Sequence, residues 1–318
     1  MHLLAASSFI VSVVLAASGC KKPAPFDVGK LSDSQKVLGN RRYRVFLPKT
    51  YNSGDATPVI LSYHGANRQL EDQVDLDGLT TPFFNKEYIV VYLQGNADNE
   101  ERPDHTTWEG APGNESDDFA FTTAVLDALD SSLCIDTKRI YATGKSQGGG
   151  FVGRLACHPT LSKRIAAFAP VSGAYYIKEI GIKSECEQPS KVAIPCEAGR
   201  GDIPIMAFHG GADQTIKYHG EFQNYCLPDI RHWAQEWVKR DGLKVGDENN
   251  KTIDGSDKGV VSSWGNGLVT LVYDGGNIKH DWPSMLRNDD NKGGPKAAFN
   301  ATSWIVDFFG AHRLPADK

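Results

Sequence analysis

A serine framed by glycines stands between a strand pattern and a helix pattern, and this junction constrains the fold more than any other feature of the chain. Residues 139–157 are RIYATGKSQGGGFVGRLAC, in which Gly144-Lys145-Ser146-Gln147-Gly148 matches Gly-x-Ser-x-Gly. The apolar run before the motif predicts a buried strand, and the residues after it predict a helix. A sharp strand-to-helix turn would lift the Ser146 hydroxyl above a sheet. A helix amino terminus with a capping serine is the simpler alternative.

Apolar runs suited to buried strands alternate with helix patterns along the rest of the chain. The runs are residues 43–48, 58–65, 88–95, 139–144, 165–173, 203–210 and 268–275. Helices are predicted from Ser116-Asp117-Asp118 to Leu133, from Ile230 to Arg240 and from Ala297 to Phe309. This alternation predicts an α/β protein with a mostly parallel central sheet and helices on both faces. Sites in such folds gather beyond the carboxyl ends of the strands.

The overall composition is that of an ordinary globular protein. Hydrophobic residues make up 40% of the 318 residues, charged residues make up 23%, and the formal net charge is −5. This charge gives no reason to expect nucleic acid or an anionic membrane as a partner. Without repeats, long linkers or metal-binding motifs, residues 18–318 are predicted to be a single domain with no cofactor and no metal, and a monomer is expected.

Residues 1–17 have the features of a secretory signal peptide. LLAASSFIVSVVLAA is apolar or small throughout, and the chain becomes polar at SGCKKPAPFD. Cleavage near Ala17 would give a secreted, extracellular protein. The alternative is a bacterial lipoprotein anchored through Cys20, because ASGC resembles a lipoprotein box, although Ala17 stands where such boxes usually carry Leu.

Six cysteines in an exported chain predict three disulfides, and the even number favours Cys20 as a protein cysteine. The six are Cys20, Cys134, Cys157, Cys186, Cys196 and Cys226. A Cys134–Cys157 bridge is expected because their helices flank the nucleophile segment, and the pairing of the other four stays open. Sequons that fit a glycosylating export pathway are at Asn114, Asn250 and Asn300.

A serine nucleophile needs a base held close to it, because its hydroxyl is a poor nucleophile at neutral pH. His280 follows the last predicted strand, in YDGGNIKHDWPS, and is the predicted base for Ser146. Asp213 follows the preceding strand and is predicted to orient His280 and stabilise the imidazolium. Asp274 is the alternative acid, whereas Asp281 is a poor candidate because adjacent side chains diverge.

The oxyanion formed on the substrate needs two backbone N–H groups aimed at one point. We expect one from Gln147, directly after the nucleophile, and the other from Gly65 or Ala66, after an early strand. His64 and His209 each lie in a His-Gly pair at a strand end, and we expect them to be architectural or to line a pocket.

Five segments in consistent order resemble a known family between about residues 40 and 310. They are VILSYHGANRQ, SDDFAFTTAVLDALDSSLCIDTKRIYATGKSQGGGFVGRLAC, APVSGA, IPIMAFHGGADQTIKYHG and GGNIKHDWP. The chain resembles the secreted feruloyl esterases, acetylxylan esterases and polyhydroxybutyrate depolymerases of carbohydrate esterase family 1, and the catalytic-domain-only fungal feruloyl esterases most of all. The resemblance implies an α/β-hydrolase fold, a Ser146–Asp213–His280 triad and an oxyanion hole built partly by the His-Gly loop. Lys145 and Gln147 depart from the bulkier or more apolar neighbours that relatives often carry.

The resemblance implies a serine esterase that hydrolyses feruloyl esters of plant cell-wall polysaccharides such as arabinoxylan, so a feruloylated polysaccharide or oligosaccharide is the expected partner. Candidates for the flat acyl slot are Trp108, Tyr175 and Trp282, with Tyr176 beside them, and a core position is the alternative for each. Residues 174–202 are expected to cover the site as a disulfide-tied loop. An acetylxylan esterase, a polyhydroxybutyrate depolymerase and a non-catalytic binding protein are the alternative functions.

Overall fold

The computed structural model describes residues 18–97 and 103–315 and has one large sheet between two layers of helices. The strands are β1 (Gln35–Val37), β2 (Arg41–Phe46), β3 (Thr57–Tyr63), β4 (Ile89–Leu93), β5 (Asn96–Ala97), β6 (Thr106–Thr107), β7 (Ile135–Lys145), β8 (Ala167–Val171), β9 (Ile205–His209), β10 (Glu221–Gln223), β11 (Tyr225–Leu227), β12 (Asn249–Thr252), β13 (Val260–Trp264) and β14 (Val269–Tyr273). The helices are α1 (Leu70–Asp77), α2 (Asp118–Ser132), α3 (Gln147–Cys157), α4 (Leu161–Arg164), α5 (Ile230–Arg240) and α6 (Ala301–Gly310).

The ten strands of the large sheet follow the order β1-β2-β4-β3-β7-β8-β9-β14-β13-β12. The central strands from β4 to β14 are parallel to one another, and the pairs at both edges are antiparallel. All seven predicted strand runs form strands of this sheet, so the prediction of a mostly parallel sheet is confirmed. The edge strands β1 and β12, and β13 beside β12, are not predicted by the sequence, because they lack the continuous apolar runs of buried strands.

Helices cover both faces of the sheet because its central strands are apolar on both sides. On β3, the side chains of Val59, Leu61 and Tyr63 enter a core with apolar residues of α2, α3 and α5. Ile60, between them, enters a second core with residues of α1 and α6. This alternation follows from the two-residue period of a strand and confirms the predicted layers.

The helix before β7 forms where the sequence predicts it. The side chain of Asp117 caps α2 by accepting a hydrogen bond from the N–H of Ala120 at 2.8 Å. Phe121, Val125 and Leu129 are buried along one face, as predicted. By contrast, α1 was missed because two of its three buried residues are polar, which hides the helical period from a sequence pattern.

Three disulfides form among the described residues, and they correct the predicted Cys134–Cys157 bridge. Their partners are Cys20–Cys134, Cys157–Cys196 and Cys186–Cys226. The N–H of Gly19 donates to the carbonyl of Asp130 near the end of α2, and this contact brings Cys20 to Cys134. A thiol in a disulfide cannot carry a lipid, so the structure contradicts the alternative of an anchor at Cys20. The predicted signal peptide, residues 1–17, lies outside the described residues.

The three sequons differ in how accessible they are. Asn114 is buried, its amide N–H donates to Thr107 Oγ1 at 2.7 Å, and its carbonyl oxygen accepts from the N–H of Ser116. This placement corrects the prediction of a glycan at Asn114, because its amide is already bonded inside the fold. Asn250 is exposed on β12, and Asn300 is half-buried at the start of α6. Glycosylation at these two positions stays a prediction. In residues 18–97 and 103–315, no helix has the length and apolar character needed to cross a membrane.

Candidate active site

Ser146 lies at the junction of β7 and α3, where the backbone turns sharply. Its φ of 56° and ψ of −118° are values that residues with a side chain rarely adopt. Its N–H donates to the Val171 carbonyl at 3.0 Å, and its carbonyl accepts from the N–H groups of Gly150 and Ala174 at 2.8 and 2.9 Å. Ser146 is the N-cap residue by position, but its hydroxyl caps no helical N–H. The geometry is that of a strained strand–turn–helix junction, as nucleophile elbows have.

Glycines flank Ser146 because the start of α3 rests directly on the end of β3. A Cβ at Gly148 would overlap the carbonyl oxygens of Tyr63 and His64, and a Cβ at Gly144 would lie 2.7 Å from the Tyr63 carbonyl oxygen. Both contacts are with backbone, which cannot move aside cheaply. The glycines of the motif therefore permit close packing at the turn.

The structure brings His280 and Asp213 together at the carboxyl edge of the sheet. Asp213 lies in the turn after β9 and His280 in the loop after β14, and the Nδ1 atom of His280 donates to Oδ2 of Asp213 at 2.7 Å. The other oxygen of Asp213 accepts from the N–H groups of Thr215 and Ile216, each at 2.8 Å. With Nδ1–H committed to Asp213, the Nε2 atom of His280 is the proton acceptor.

The charge states of this pair suit a base and its orienting acid. Burial raises the pKa of Asp213, but hydrogen bonds and charge from His209 and His280 outweigh it and hold that pKa well below its usual range. Burial lowers the pKa of His280, and the charge of Lys145 lowers it further, whereas Asp213 opposes both. The imidazole is consequently neutral at neutral pH and can accept a proton.

The alternative acids are placed differently. Asp274 is completely buried after β14, and neither of its carboxyl oxygens has a hydrogen-bond partner in the described structure. Burial raises the pKa of Asp274 well above its usual range, with a smaller contribution from Asp281 and Asp213. Burial therefore disfavours the carboxylate form of Asp274, the form that a triad acid needs. The carboxylate bonded to His280 is that of Asp213.

The predicted oxyanion loop lies against the serine. A Cβ at Gly65 would lie 3.4 Å from the Cβ of Ser146. The buried His64 donates from Nδ1 to the Gly65 carbonyl at 2.7 Å and accepts the Gly95 N–H at Nε2, at 2.8 Å. Burial lowers the pKa of His64 to about 4, so it holds this peptide as a neutral ring. The N–H of Ala66 belongs to the same peptide and points away from that carbonyl, because the peptide is trans.

Two of the three predicted acyl-slot aromatics lie in the core. Trp108 is completely buried, and its indole N–H donates to the carbonyl of His64 at 2.8 Å. Trp282 is buried as well, and its indole N–H donates to Thr302 Oγ1 at 2.9 Å. These positions correct the prediction that Trp108 and Trp282 contact substrate. The hydrogen bonds of the two indole groups attach loops of the site to the core.

Tyr175 and Tyr176 line a cavity of about 350 Å³ that extends along α3 from Gln147. Aromatic and polar side chains share its wall: Glu109, Phe119, Gln147, Arg154, His158, Tyr175, Tyr176 and Trp233. Tyr175 stacks on Trp233 with ring centroids 3.8 Å apart. Three buried polar atoms of the lining residues lack a hydrogen-bond partner within the described structure, namely Gln147 Oε1, Arg154 Nε and the Tyr175 hydroxyl. The cavity, with its mixed aromatic and polar wall, is a candidate substrate site.

Residues 174–202 form part of the cavity wall, and two disulfides tie this segment to the fold. Cys157–Cys196 joins it to the end of α3, and Cys186–Cys226 joins it to β11. The expectation of a disulfide-tied loop beside the site agrees with this arrangement.

Sequence reasoning missed two contacts of the site. The Nε2 atom of His209 lies 3.2 Å from Oδ2 of Asp213 and 2.7 Å from the carbonyl of Ile216. The buried His209 therefore fixes the turn that carries Asp213. Lys145 forms an ion pair with Asp290, at 2.6 Å between Nζ and Oδ2. The His-Gly pair at the end of β9 was the signal for the first contact. No local pattern signals the second, because its partners are far apart in sequence.

Comparison with known proteins relates the chain to fungal esterases. Feruloyl esterase B of Piromyces equi is 28% identical over 64% of this chain and 36% of its own length, so the chain spans about a third of that relative. A probable feruloyl esterase C of Aspergillus niger is 26% identical over 72% of this chain and 77% of its own length. No protein-family model matches. The predicted relationship to carboxylic ester hydrolases, and to fungal feruloyl esterases in particular, is confirmed.

A solved structure with the same fold is the acetyl xylan esterase from Aspergillus awamori. It superposes with a TM-score of 0.63 at 14% sequence identity, and the match covers 89% of this chain and 99% of that chain. At this identity the likeness concerns the fold alone, and it confirms the predicted α/β-hydrolase fold.

Proposed function

We propose that the protein is a secreted serine esterase that hydrolyses hydroxycinnamoyl esters, chiefly feruloyl esters, of plant cell-wall polysaccharides. The observation that carries the proposal is the hydrogen bond of 2.7 Å between His280 and Asp213 at the sheet edge where Ser146 occupies a strained turn. The relatives named feruloyl esterase support the same reaction.

In this proposal Ser146 Oγ attacks the ester carbonyl while Nε2 of His280 takes its proton. The charge that develops on the carbonyl oxygen is stabilised by backbone N–H groups of Gln147 and Ala66. The imidazolium of His280, stabilised by Asp213, then protonates the departing sugar oxygen, which leaves a feruloyl ester on Ser146. Water hydrolyses this ester with His280 again as the base, releasing ferulate.

The cavity beside Gln147 supports a flat aromatic acyl group. At 1.5 Å per residue, α3 extends about 15 Å from Gln147 to Cys157, which is ample for a feruloyl group. The wall combines aromatic rings with polar side chains such as those of Glu109 and Arg154. A feruloyl ring carries phenolic and methoxy oxygens that can bond polar side chains in such a wall, whereas an acetyl group has no such oxygens.

We further propose that residues 1–17 are a cleaved signal peptide and that residues 18–318 are a single catalytic domain that acts outside the cell as a monomer. Three disulfides among the described residues support an oxidising compartment. They also support a chain that folds after export.

The test is hydrolysis of methyl ferulate, acetylated xylan and polyhydroxybutyrate films by the wild type and Ser146→Ala. We expect methyl ferulate to be the best substrate and Ser146→Ala to lower its hydrolysis by about 10⁶-fold. Ser131→Ala, an exposed serine at the end of α2, is the control and should retain full activity. Equal activity of the wild type and Ser146→Ala would exclude Ser146 as the nucleophile, and a preference for acetylated xylan would change the substrate.

A further inference from the structure

The residue before the nucleophile takes part in a buried ion pair that the reaction scheme above does not use. Lys145 is the last residue of β7, and its Nζ lies 2.6 Å from Oδ2 of Asp290. The two side chains are only 7% and 12% exposed. Burying two opposite charges gives little net stability, because desolvation offsets their attraction. Stability alone therefore does not explain why the pair lies here.

The second contact of Asp290 leads to the loop of the predicted base. The same Oδ2 atom accepts the backbone N–H of Trp282 at 2.8 Å, two residues after His280. The indole of Trp282 is fixed in the core through Thr302. Asp290 thus joins the strand that leads into Ser146 to the loop that carries His280.

Asparagine side chains make this loop a stiff support for Asp290. Asn288 accepts the N–H of Asp290 at 3.1 Å and donates to the carbonyl of Trp282 at 3.0 Å. The buried Asn291 donates from its side chain to the carbonyl of Leu286 at 2.9 Å. A shift of Lys145 or Asp290 would accordingly be passed to the backbone around His280.

The pair also sets the charge around His280. The charged and titratable groups that act on His280 are Asp213, Lys145 and His209. Lys145 lowers the pKa of His280, and Asp290 neutralises much of the charge of Lys145 at 2.6 Å. Asp281, next to His280, has its pKa raised to about 6 by burial and by Asp290, while Lys145 opposes this.

We propose that the Lys145–Asp290 ion pair is a positioning device that fixes the His280 loop against the Ser146 turn and places a balanced charge beside the imidazole. The proposal rests on the proposed function, in which His280 is the base. It gives Lys145 a role in the reaction rather than in substrate choice.

The test compares Lys145→Met, Asp290→Asn and the double variant, with Lys145→Arg as the conservative variant. The acid limb of kcat/KM reports the pKa of the base in the free enzyme. Removing the positive charge in Lys145→Met raises the pKa of His280, so the limb moves to higher pH. Removing the negative charge in Asp290→Asn leaves Lys145 unbalanced, so the limb moves to lower pH. A purely structural pair would not shift the limb in opposite directions.

The double variant separates the effect on loop position from the effect on charge. It breaks the ion pair but removes one charge of each sign, so the net charge near His280 stays the same. We expect an acid limb close to that of the wild type, a loss of about 100-fold in kcat with p-nitrophenyl acetate, and little change in KM. Lys145→Arg should recover part of kcat. Thermal unfolding checks that each variant folds. If Lys145→Met does not fold, Asp290→Asn and the double variant still differ by the Lys145 charge alone.

A second measurement keeps the test independent of turnover. Each variant is combined with Ser146→Ala, and the imidazole of His280 is titrated by NMR. The pKa of His280 is expected to shift in the same opposite directions. The proposal is overturned if the single variants shift the titration in the same direction or not at all, or if the double variant keeps kcat within about threefold. Failure of the proposed function has another signature, since the wild type and Ser146→Ala would then hydrolyse esters equally.

Discussion

The two buried aspartates near His280 allow one prediction to be worked out in full. Asp213→Asn replaces the carboxylate that accepts Nδ1–H of His280 by an amide, which stabilises the imidazolium poorly and permits the wrong tautomer. We expect kcat on methyl ferulate to fall by about 10⁴-fold, the size such a change has in a serine triad. Asp274→Asn should leave kcat within a few fold, because neither carboxyl oxygen of Asp274 has a hydrogen-bond partner among the described residues and burial disfavours its charged form.

Stability should change in opposite ways in these two variants. The raised pKa of Asp274 means that its contribution is fully present below the unfolded pKa near 4 and is lost as pH rises toward the folded pKa. The loss is about 1.4 kcal/mol of unfolding free energy per pH unit in that window, and Asp274→Asn removes this slope. Asp213 has a lowered pKa, so its contribution is present above pH 4 and disappears in acid.

The assay is urea denaturation between pH 4 and pH 8, together with steady-state kinetics at pH 7. Asp274→Asn should gain stability relative to the wild type as pH rises, while Asp213→Asn should be less stable than the wild type by a constant amount across this range. If Asp274→Asn abolished activity and Asp213→Asn did not, the acid of the site would be Asp274. If Asp274→Asn did not change the pH dependence of stability, the effect of burial on the pKa of Asp274 would be wrong.

Four further predictions concern the turn, the loop, the base and the cavity. Gly148→Ala should lose about 1–3 kcal/mol of unfolding free energy or fail to fold, whereas Gly181→Ala, in open space, should change it by less than about 0.5 kcal/mol; equal stabilities in urea would contradict the close packing. Replacing both Cys157 and Cys196 by Ser should lower stability by about 2–4 kcal/mol in the same assay, and an unchanged midpoint would show that the bridge constrains little. Because the pKa of His280 is lowered, kcat/KM should keep its plateau value down to pH 6.5 and fall only at lower pH. An acid limb centred at or above pH 6.5 would contradict the charge balance. Arg154→Met should raise KM for methyl ferulate about tenfold but leave p-nitrophenyl acetate unaffected, and an equal effect on both esters would place the acyl ring elsewhere.

Local periodicity and the order of residues along the chain were enough to predict most of the fold and the main residues of the candidate site. Strands buried on both faces have continuous apolar runs, so all seven were predicted. Ser146, Asp213 and His280 each follow a strand of the parallel sheet, and the carboxyl ends of such strands meet at one edge. The order of these residues along the chain therefore predicted their placement at this edge, where His280 contacts Asp213.

The sequence pattern could not predict contacts that depend on packing in three dimensions. Trp108 and Trp282 stand next to site loops in sequence, yet their side chains point into the core because their indole N–H groups find partners there. Cysteine pairing failed for the same reason, since the segment at Cys20 has no periodic pattern that predicts its contact with α2. The Lys145–Asp290 pair joins the end of β7 to a loop, and only the complete sheet determines their approach.

The Cys20–Cys134 bridge has a practical consequence for attaching the protein to a solid support. Cys134 immediately precedes β7, and Ser146 immediately follows it, so the bridge and the serine lie at opposite ends of one strand. Eleven residues of strand span about 36 Å. A linker or tag joined to the segment before Cys20 is held at the far edge of the sheet, so a surface that captures the protein there leaves the Ser146 edge facing the solution and open to polymeric substrates.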